Sequence, residues 1–234
     1  MGEERFEVAP VRIYAGSIVL NGDLCIPEGA TGIVVFAHGS GSSRHSPRNR
    51  FVASELQRGG LATLLMDLLT SDEEEEDAYS GYLRFDIDLL ARRLVEATFW
   101  LAEQEETATL RIGYFGASTG AAAALMAAAS VPDHIGAVVS RGGRPDLAAR
   151  SLPRVKAPTL LIVGENDPLV LDLNRQAFAQ LRCEKRFEIV PGASHLFEEP
   201  GTLDVVARLA REFFVEKLHA QPLGFEPHPP PAPY

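Results

Sequence analysis

Residues 116–120 read Gly-Ala-Ser-Thr-Gly, a serine flanked by glycines, set between the runs RIGYF and AAAALMAAA. The pentapeptide GxSxG by itself is a weak signal, because glycine and serine are common residues. Its setting is more specific. A β-branched and aromatic run, then the glycines, then a helix with no bulky side chain in its first turn make a strand–turn–helix corner. Such a corner presents a serine as a nucleophile on a sharp, strained turn. Side chains at positions 116 and 120 would collide with neighbouring backbone there, and the alanine run lets the helix press close to a sheet. The same letters also read as turn glycine and helix-forming alanine, with no chemistry implied. What separates the two readings is whether Ser118 has partners.

A serine hydroxyl is a poor nucleophile at neutral pH and needs a general base. Of six histidines, His38 and His45 fall in an early loop, His134 opens a strand, and His219 and His228 sit in the last helix and the tail. His195 occupies PGASHLFEEPG, between the last strand and the last helix. That is the carboxyl edge of the sheet, where open α/β sheets bind ligands and where Ser118 also opens. An imidazole in turn needs a carboxylate to fix its tautomer. Asp167 in GENDPLV follows the strand TLLIV. Glu165, two residues nearer that strand, is its rival, and Pro168 favours Asp167 by fixing the turn around it. For the oxyanion of an acyl-transfer intermediate, the Thr119 N–H at the helix start supplies one donor. The loop after GIVVFA, His38-Gly39-Ser40-Gly41-Ser42, supplies the second, from Ser40 with Gly41 as the alternative. That loop also reads as a plain glycine turn or a phosphate cradle. A P-loop is excluded, since no GKS or GKT follows.

The elements that must position these residues alternate. Residues 5–14 and 17–26 read as an antiparallel pair turning at Ala15-Gly16. Residues 32–37 form a continuous apolar run, as a strand covered on both faces requires. A helix over 49–58 ends at Gly59-Gly60, and a strand follows at 62–66. The acidic run Asp72 to Asp77 reads as a solvated loop, because six adjacent carboxylates repel one another. A long helix over 85–103 buries Leu89, Leu90, Leu94, Ala97 and Leu101 on one face. Strands at 111–115, 135–139, 159–163 and 186–190 alternate with helices from 119, over 171–181 and over 202–219. The expectation is an α/β fold of about eight strands, mostly parallel, with helices on both faces. Residues 1–221 form one domain, and 222–234 form a proline-rich tail.

Composition sets limits. The chain has 234 residues, 46% of them hydrophobic, and a net charge of −10. That charge lacks the basic footprint of a nucleic-acid partner, and gives no electrostatic reason to seek anionic membranes. No apolar run is long enough to span a bilayer. The N-terminus has no basic segment followed by an apolar one, so a cytoplasmic location is expected. Cys25 and Cys183 form no metal-ligand spacing and read as reduced thiols. No metal or cofactor is expected.

The stretches VVFAHGSGSSRHSPRN, GYFGASTGAAAAL, GENDPLV and GASHLFEEPG, in that order, resemble the dienelactone hydrolase branch of the α/β-hydrolases. The resemblance covers about residues 30–218. It implies the α/β-hydrolase fold and a catalytic triad in the order Ser118, Asp167, His195, with an oxyanion hole from Ser40 and Thr119. Dienelactone hydrolases proper carry a cysteine nucleophile, so Ser118 points to general ester chemistry. About 19 residues lie between Val139 and Thr159, where many lipases carry a cap. A minimal or absent cap is therefore expected, and small soluble esters or lactones rather than long lipids. Arg44, Arg48, Arg141 and Arg144 fall in loops of the active edge, where a guanidinium could bind a substrate carboxylate or pair with the acidic run. An acyltransferase or perhydrolase would use the same triad, and a binding module could keep the same fold.

Overall fold

The computed structural model describes residues 6–219, and the proline-rich segment 222–234 and His228 lie outside them. Eight strands form one sheet in the order β1-β2-β4-β3-β5-β6-β7-β8. The first two, β1 (Ala9–Ala15) and β2 (Ile18–Cys25), make an antiparallel hairpin. Its turn has Gly16 at a φ of 62°, a left-handed conformation that glycine adopts without steric cost. β2 also runs antiparallel to β4 (Ala62–Met66), and every later pairing is parallel.

The central strands are β3 (Gly32–Ala37), β5 (Arg111–Ala117), β6 (Ile135–Arg141) and β7 (Thr159–Gly164). They are buried along nearly their whole length, as expected of strands covered on both faces. β8 (Lys185–Val190) is the half-exposed edge. Two apolar clusters divide the core. One packs α3 (Ile87–Glu103) and α4 (Thr119–Ser130) against one face through Leu90, Leu94, Tyr114 and the alanines of α4. The other packs α1 (Pro47–Arg58) and α6 (Thr202–Leu218) against the opposite face through Phe36, Phe115, Phe213 and Phe214. Each large side chain so buried contributes roughly 1.5–3 kcal/mol. The helix α5 (Pro168–Gln180) follows β7. Cys25 and Cys183 are both free thiols.

The acidic run departs from expectation. Residues 71–80 form a helix, α2 (Ser71–Ser80), not a loop. Its start carries a capping box: the Thr70 hydroxyl accepts from the Glu73 N–H at 3.2 Å, and the Glu73 carboxylate accepts from the Thr70 N–H at 2.8 Å. Asp72, Glu73 and Glu74 lie in the first turn, where negative charge favours the helix dipole. Arg93 pairs with Glu73, and Arg84 with the buried Asp77, while most other carboxylates face solvent. Repulsion along the run is thus offset at both ends. Between β6 and β7 stand only two short 3-10 turns, Pro145–Ala148 and Leu152–Arg154, so no cap domain covers that side. Among the described residues no helix is long and apolar enough to cross a membrane.

The strand order places the switch point between β3 and β5. The chain leaves β3 toward β4 and returns to add β5 on the other side. A crevice opens at such a point beyond the carboxyl ends of the strands, and the loops bearing Ser40 and Ser118 flank it.

Candidate active site

β5 ends at Ala117 and α4 begins at Thr119, so Ser118 alone makes the corner. Its φ of 52° and ψ of −119° lie in a region that residues with a Cβ avoid. The corner is held from three directions. The Ser118 carbonyl accepts from Ala121 N–H at 3.1 Å and from Arg144 N–H at 3.0 Å, and its own N–H donates to the Arg141 carbonyl at 3.3 Å. A Cβ on Gly120 would stand 2.2 Å from the Ala37 carbonyl oxygen, and one on Gly116 would stand 2.4 Å from the Ala121 Cα. Among the described residues only Ser118 and Phe197 are non-glycine residues with positive φ. Both belong to this site, where stored backbone strain tends to collect.

His195 and Asp167 meet across two loops, with Nδ1 and Oδ2 2.6 Å apart. With the carboxylate accepting, Nδ1 holds the proton and Nε2 keeps a lone pair free. Asp167 stands at the N-cap of α5 but makes no capping bond with its side chain, so the carboxylate is available to the imidazole. Pro168 follows at the first helical position, where a missing N–H costs nothing. Glu165 turns elsewhere: its carboxylate accepts from the Gly192 N–H at 2.9 Å. It ties the two loops together without touching His195.

Further bonds fix the histidine loop. Asn166 N–H donates to the Ala193 carbonyl at 2.9 Å, and Ser194 N–H donates to Glu199 at 3.0 Å. Phe197 is buried beneath it. Gly164 leaves room for it, since a Cβ there would lie 2.3 Å from the Ala193 carbonyl oxygen. Ser118 and His195 line one cavity of about 240 Å³, together with Ser40, Arg48, Asn49 and Arg141. Among the described residues the Ser118 hydroxyl makes no hydrogen bond. Such contacts are often long in unliganded sites and tighten around a substrate.

The Ser40 N–H points at the start of α4 and donates to the Thr119 hydroxyl at 2.9 Å. The Thr119 N–H is the first of that helix, where amides lack an intrahelical partner. Gly41 lies in the same turn with a φ of 69°. Behind the loop stands His38, whose role composition and spacing did not disclose. Its Nδ1 donates to the Gly39 carbonyl at 3.0 Å, and its Nε2 accepts from the Leu68 N–H at 3.2 Å. Burial holds its pKa below the usual 6.5, partly opposed by the Gly39 carbonyl and the Asp67 charge. The ring is therefore a neutral strut. Its position directly after a buried strand was the available sequence signal.

The four arginines separate. Arg44 is bound to Asp67 through its backbone N–H and its guanidinium, and lies 3.6 Å from Asp23, which braces the loop. Arg144 makes a two-pronged contact with Asp146 at 2.9 and 2.8 Å. Arg48 reaches Glu198 at 3.1 Å. Arg141, only 7% exposed, has no carboxylate partner among the described residues, and its Nε and Nη1 are buried without a hydrogen bond. Burial first, then the Arg48 charge, lowers its pKa to about 10. None of the four pairs with the acidic run. On the other side of the Gly39–Ser40 turn a second cavity, of about 290 Å³, is lined by Leu69, Leu90, Glu74 and Arg84.

Known proteins resemble the chain at several levels. The dienelactone hydrolase from Anabaena variabilis ATCC 29413 superposes with a TM-score of 0.90 at 60% identity, covering 91% of this chain and 99% of that one. Est1E from Butyrivibrio proteoclasticus shares the fold, with a TM-score of 0.76 at 16% identity over 90% of this chain and 99% of its own. Proteins of two Mycobacterium tuberculosis strains, each called "Putative phosphoribosyl transferase", are 58% identical over 208 residues. That match takes in 89% of this chain and 46% of theirs, so the chain spans about half the length of the curated relatives it matches. A sequence model of the dienelactone hydrolase family matches residues 20–216. With the fold, the switch-point crevice and this match in agreement, the chain belongs to the dienelactone hydrolase family.

Proposed function

We propose that the chain is a serine hydrolase that cleaves small carboxylic esters or lactones through an acyl-enzyme on Ser118. One observation carries the reading: His195, 2.6 Å from Asp167, shares a cavity with a serine held at positive φ between β5 and α4. In the reaction Ser118 Oγ attacks the carbonyl carbon while His195 Nε2 takes its proton, and Asp167 stabilises the imidazolium so formed. The Thr119 N–H and the Ser40 N–H receive the oxyanion. To do so, the Ser40 amide exchanges its bond to the Thr119 hydroxyl for one to the substrate, or shares it. Collapse of the intermediate breaks the acyl carbon–oxygen bond, and the imidazolium protonates the departing alkoxide. In a lactone that alkoxide stays tethered to the acyl chain. Water then attacks the acyl-enzyme by the same proton path and frees the acid.

The cavity of about 240 Å³ lies below the usual range for drug-sized ligands, which supports a compact substrate. The phosphoribosyl transferase name belongs to proteins of about twice this span, and a serine–histidine–aspartate site is the apparatus of acyl transfer. Stopped-flow hydrolysis of p-nitrophenyl acetate tests the reading. A burst of nitrophenol near one equivalent, absent in Ser118→Ala, is the expected result. Turnover unchanged in Ser118→Ala would overturn it.

A further inference from the structure

The residue after Ser140 on β6 is a buried cation that no carboxylate among the described residues neutralises. Arg141 pairs with Ala117 in the β5–β6 register, which sets it beside the residue preceding the serine. Its guanidinium lies 5.8 Å from the centre of the Phe197 ring, beneath the histidine loop. An unpaired charge out of water is costly, and proteins ordinarily pair it or discharge it. Arg141 does neither among the described residues, because a guanidinium with a pKa of about 10 stays charged at neutral pH.

A second cation lines the same cavity. Among the described residues Arg48 is tied only to Glu198, whose side chain is 63% exposed, and such surface pairs are weak and screened. The Arg48 Nε is likewise buried without a partner. Three buried nitrogens on these two guanidiniums thus lack a hydrogen-bond partner among the described residues, on side chains that line the cavity holding Ser118 and His195. Two cations forced together repel, so a single ligand charge leaves part of that repulsion in place. A phosphate monoester carries close to two charges at neutral pH and three acceptor oxygens. It therefore matches two guanidinium forks better than a carboxylate does.

We propose that the Arg48–Arg141 cavity is a subsite for a phosphomonoester group carried by the substrate beside its scissile ester. The inference rests on ester hydrolysis at Ser118 and adds the substrate class. The phosphate is a handle and not a reacting group: its P–O bonds stay intact while the acyl carbon–oxygen bond breaks and water is consumed.

Three acetate esters of matched length test this: 2-phosphonooxyethyl acetate, 3-acetoxypropanoate and 2-methoxyethyl acetate. In the wild-type enzyme kcat/KM for the phosphorylated ester should exceed that for the methoxy ester by about 10- to 100-fold, the range for charged hydrogen bonds. Arg141→Met and Arg48→Met should collapse that ratio toward unity, and Arg141→Lys should restore part of it. Inorganic phosphate should slow labelling of Ser118 by a fluorophosphonate, an outcome independent of the ester chosen. Arg48 is partly exposed, so its variant and the phosphate competition keep the test valid if Arg141→Met does not fold. A ratio near unity with the methoxy ester still hydrolysed overturns the subsite, as does a preference for the carboxylate ester. Absence of fluorophosphonate labelling together with no turnover of any ester overturns the hydrolase reading instead.

Discussion

At the scale of single residues the site depends on geometry that one atom can spoil. Asp167→Asn should keep the fold yet lower kcat by about 10⁴-fold, because the amide favours the wrong imidazole tautomer. Steady-state kinetics beside Glu165→Gln checks the choice of carboxylate. An equal loss in the glutamate variant would contradict the pairing seen at 2.6 Å. Gly164 offers a second test. A methyl there would meet the Ala193 and Ser194 carbonyl oxygens at 2.3 and 2.7 Å, forcing the histidine loop outward. Gly164→Ala should destabilise the protein by about 1–3 kcal/mol and cost about 10² in kcat through the displaced imidazole. A thermal melt and kinetics on one preparation read both. The nucleophile corner was legible in the sequence because its glycines and alanines are steric requirements that appear as letters. The state of each arginine was not. Arg44 and Arg141 look alike in a loop-rich sequence, and only folding shows that Asp67 takes the first while no carboxylate among the described residues takes the second.

At the scale of elements the alternation of strands and helices was readable because each central strand is a continuous apolar run and helices such as α3 show a 3.6-residue stripe. Boundaries moved by a few residues at most of these elements. β5 and β6, for instance, extend two residues further than their apolar runs, to Ala117 and Arg141. The acidic helix α2 was missed because local charge repulsion was weighed and the cap was not. Thr70 and Glu73 form the signature of a capping box, and the arginines that offset the run come from later in the chain. Thr70→Ala should therefore loosen α2 by about 1 kcal/mol. Hydrogen exchange should speed up over residues 71–80 while the core strands keep their protection. Uniform acceleration across the sheet would contradict a local role for the cap.

At the scale of the whole molecule, the buried neutral His38 links stability to pH. Its native pKa lies below 6.5 because burial disfavours the imidazolium, so between the native and unfolded values the unfolded chain holds a proton that the native protein lacks. Stability then rises with pH across that window. It should fall as pH drops through 6.5 and level off below the native pKa. Melting temperatures measured between pH 8 and 5 should show this slope, and His38→Gln should flatten it while lowering stability at pH 8. An unchanged slope in the variant would assign the pH dependence to other groups.

The central claim is an activated serine, and intact-protein mass spectrometry after exposure to a fluorophosphonate tests it most directly. The account predicts one adduct, mapping to Ser118, absent in Ser118→Ala and formed far more slowly in Asp167→Asn. Folded wild-type protein that takes up no adduct, or takes it up elsewhere, would contradict it.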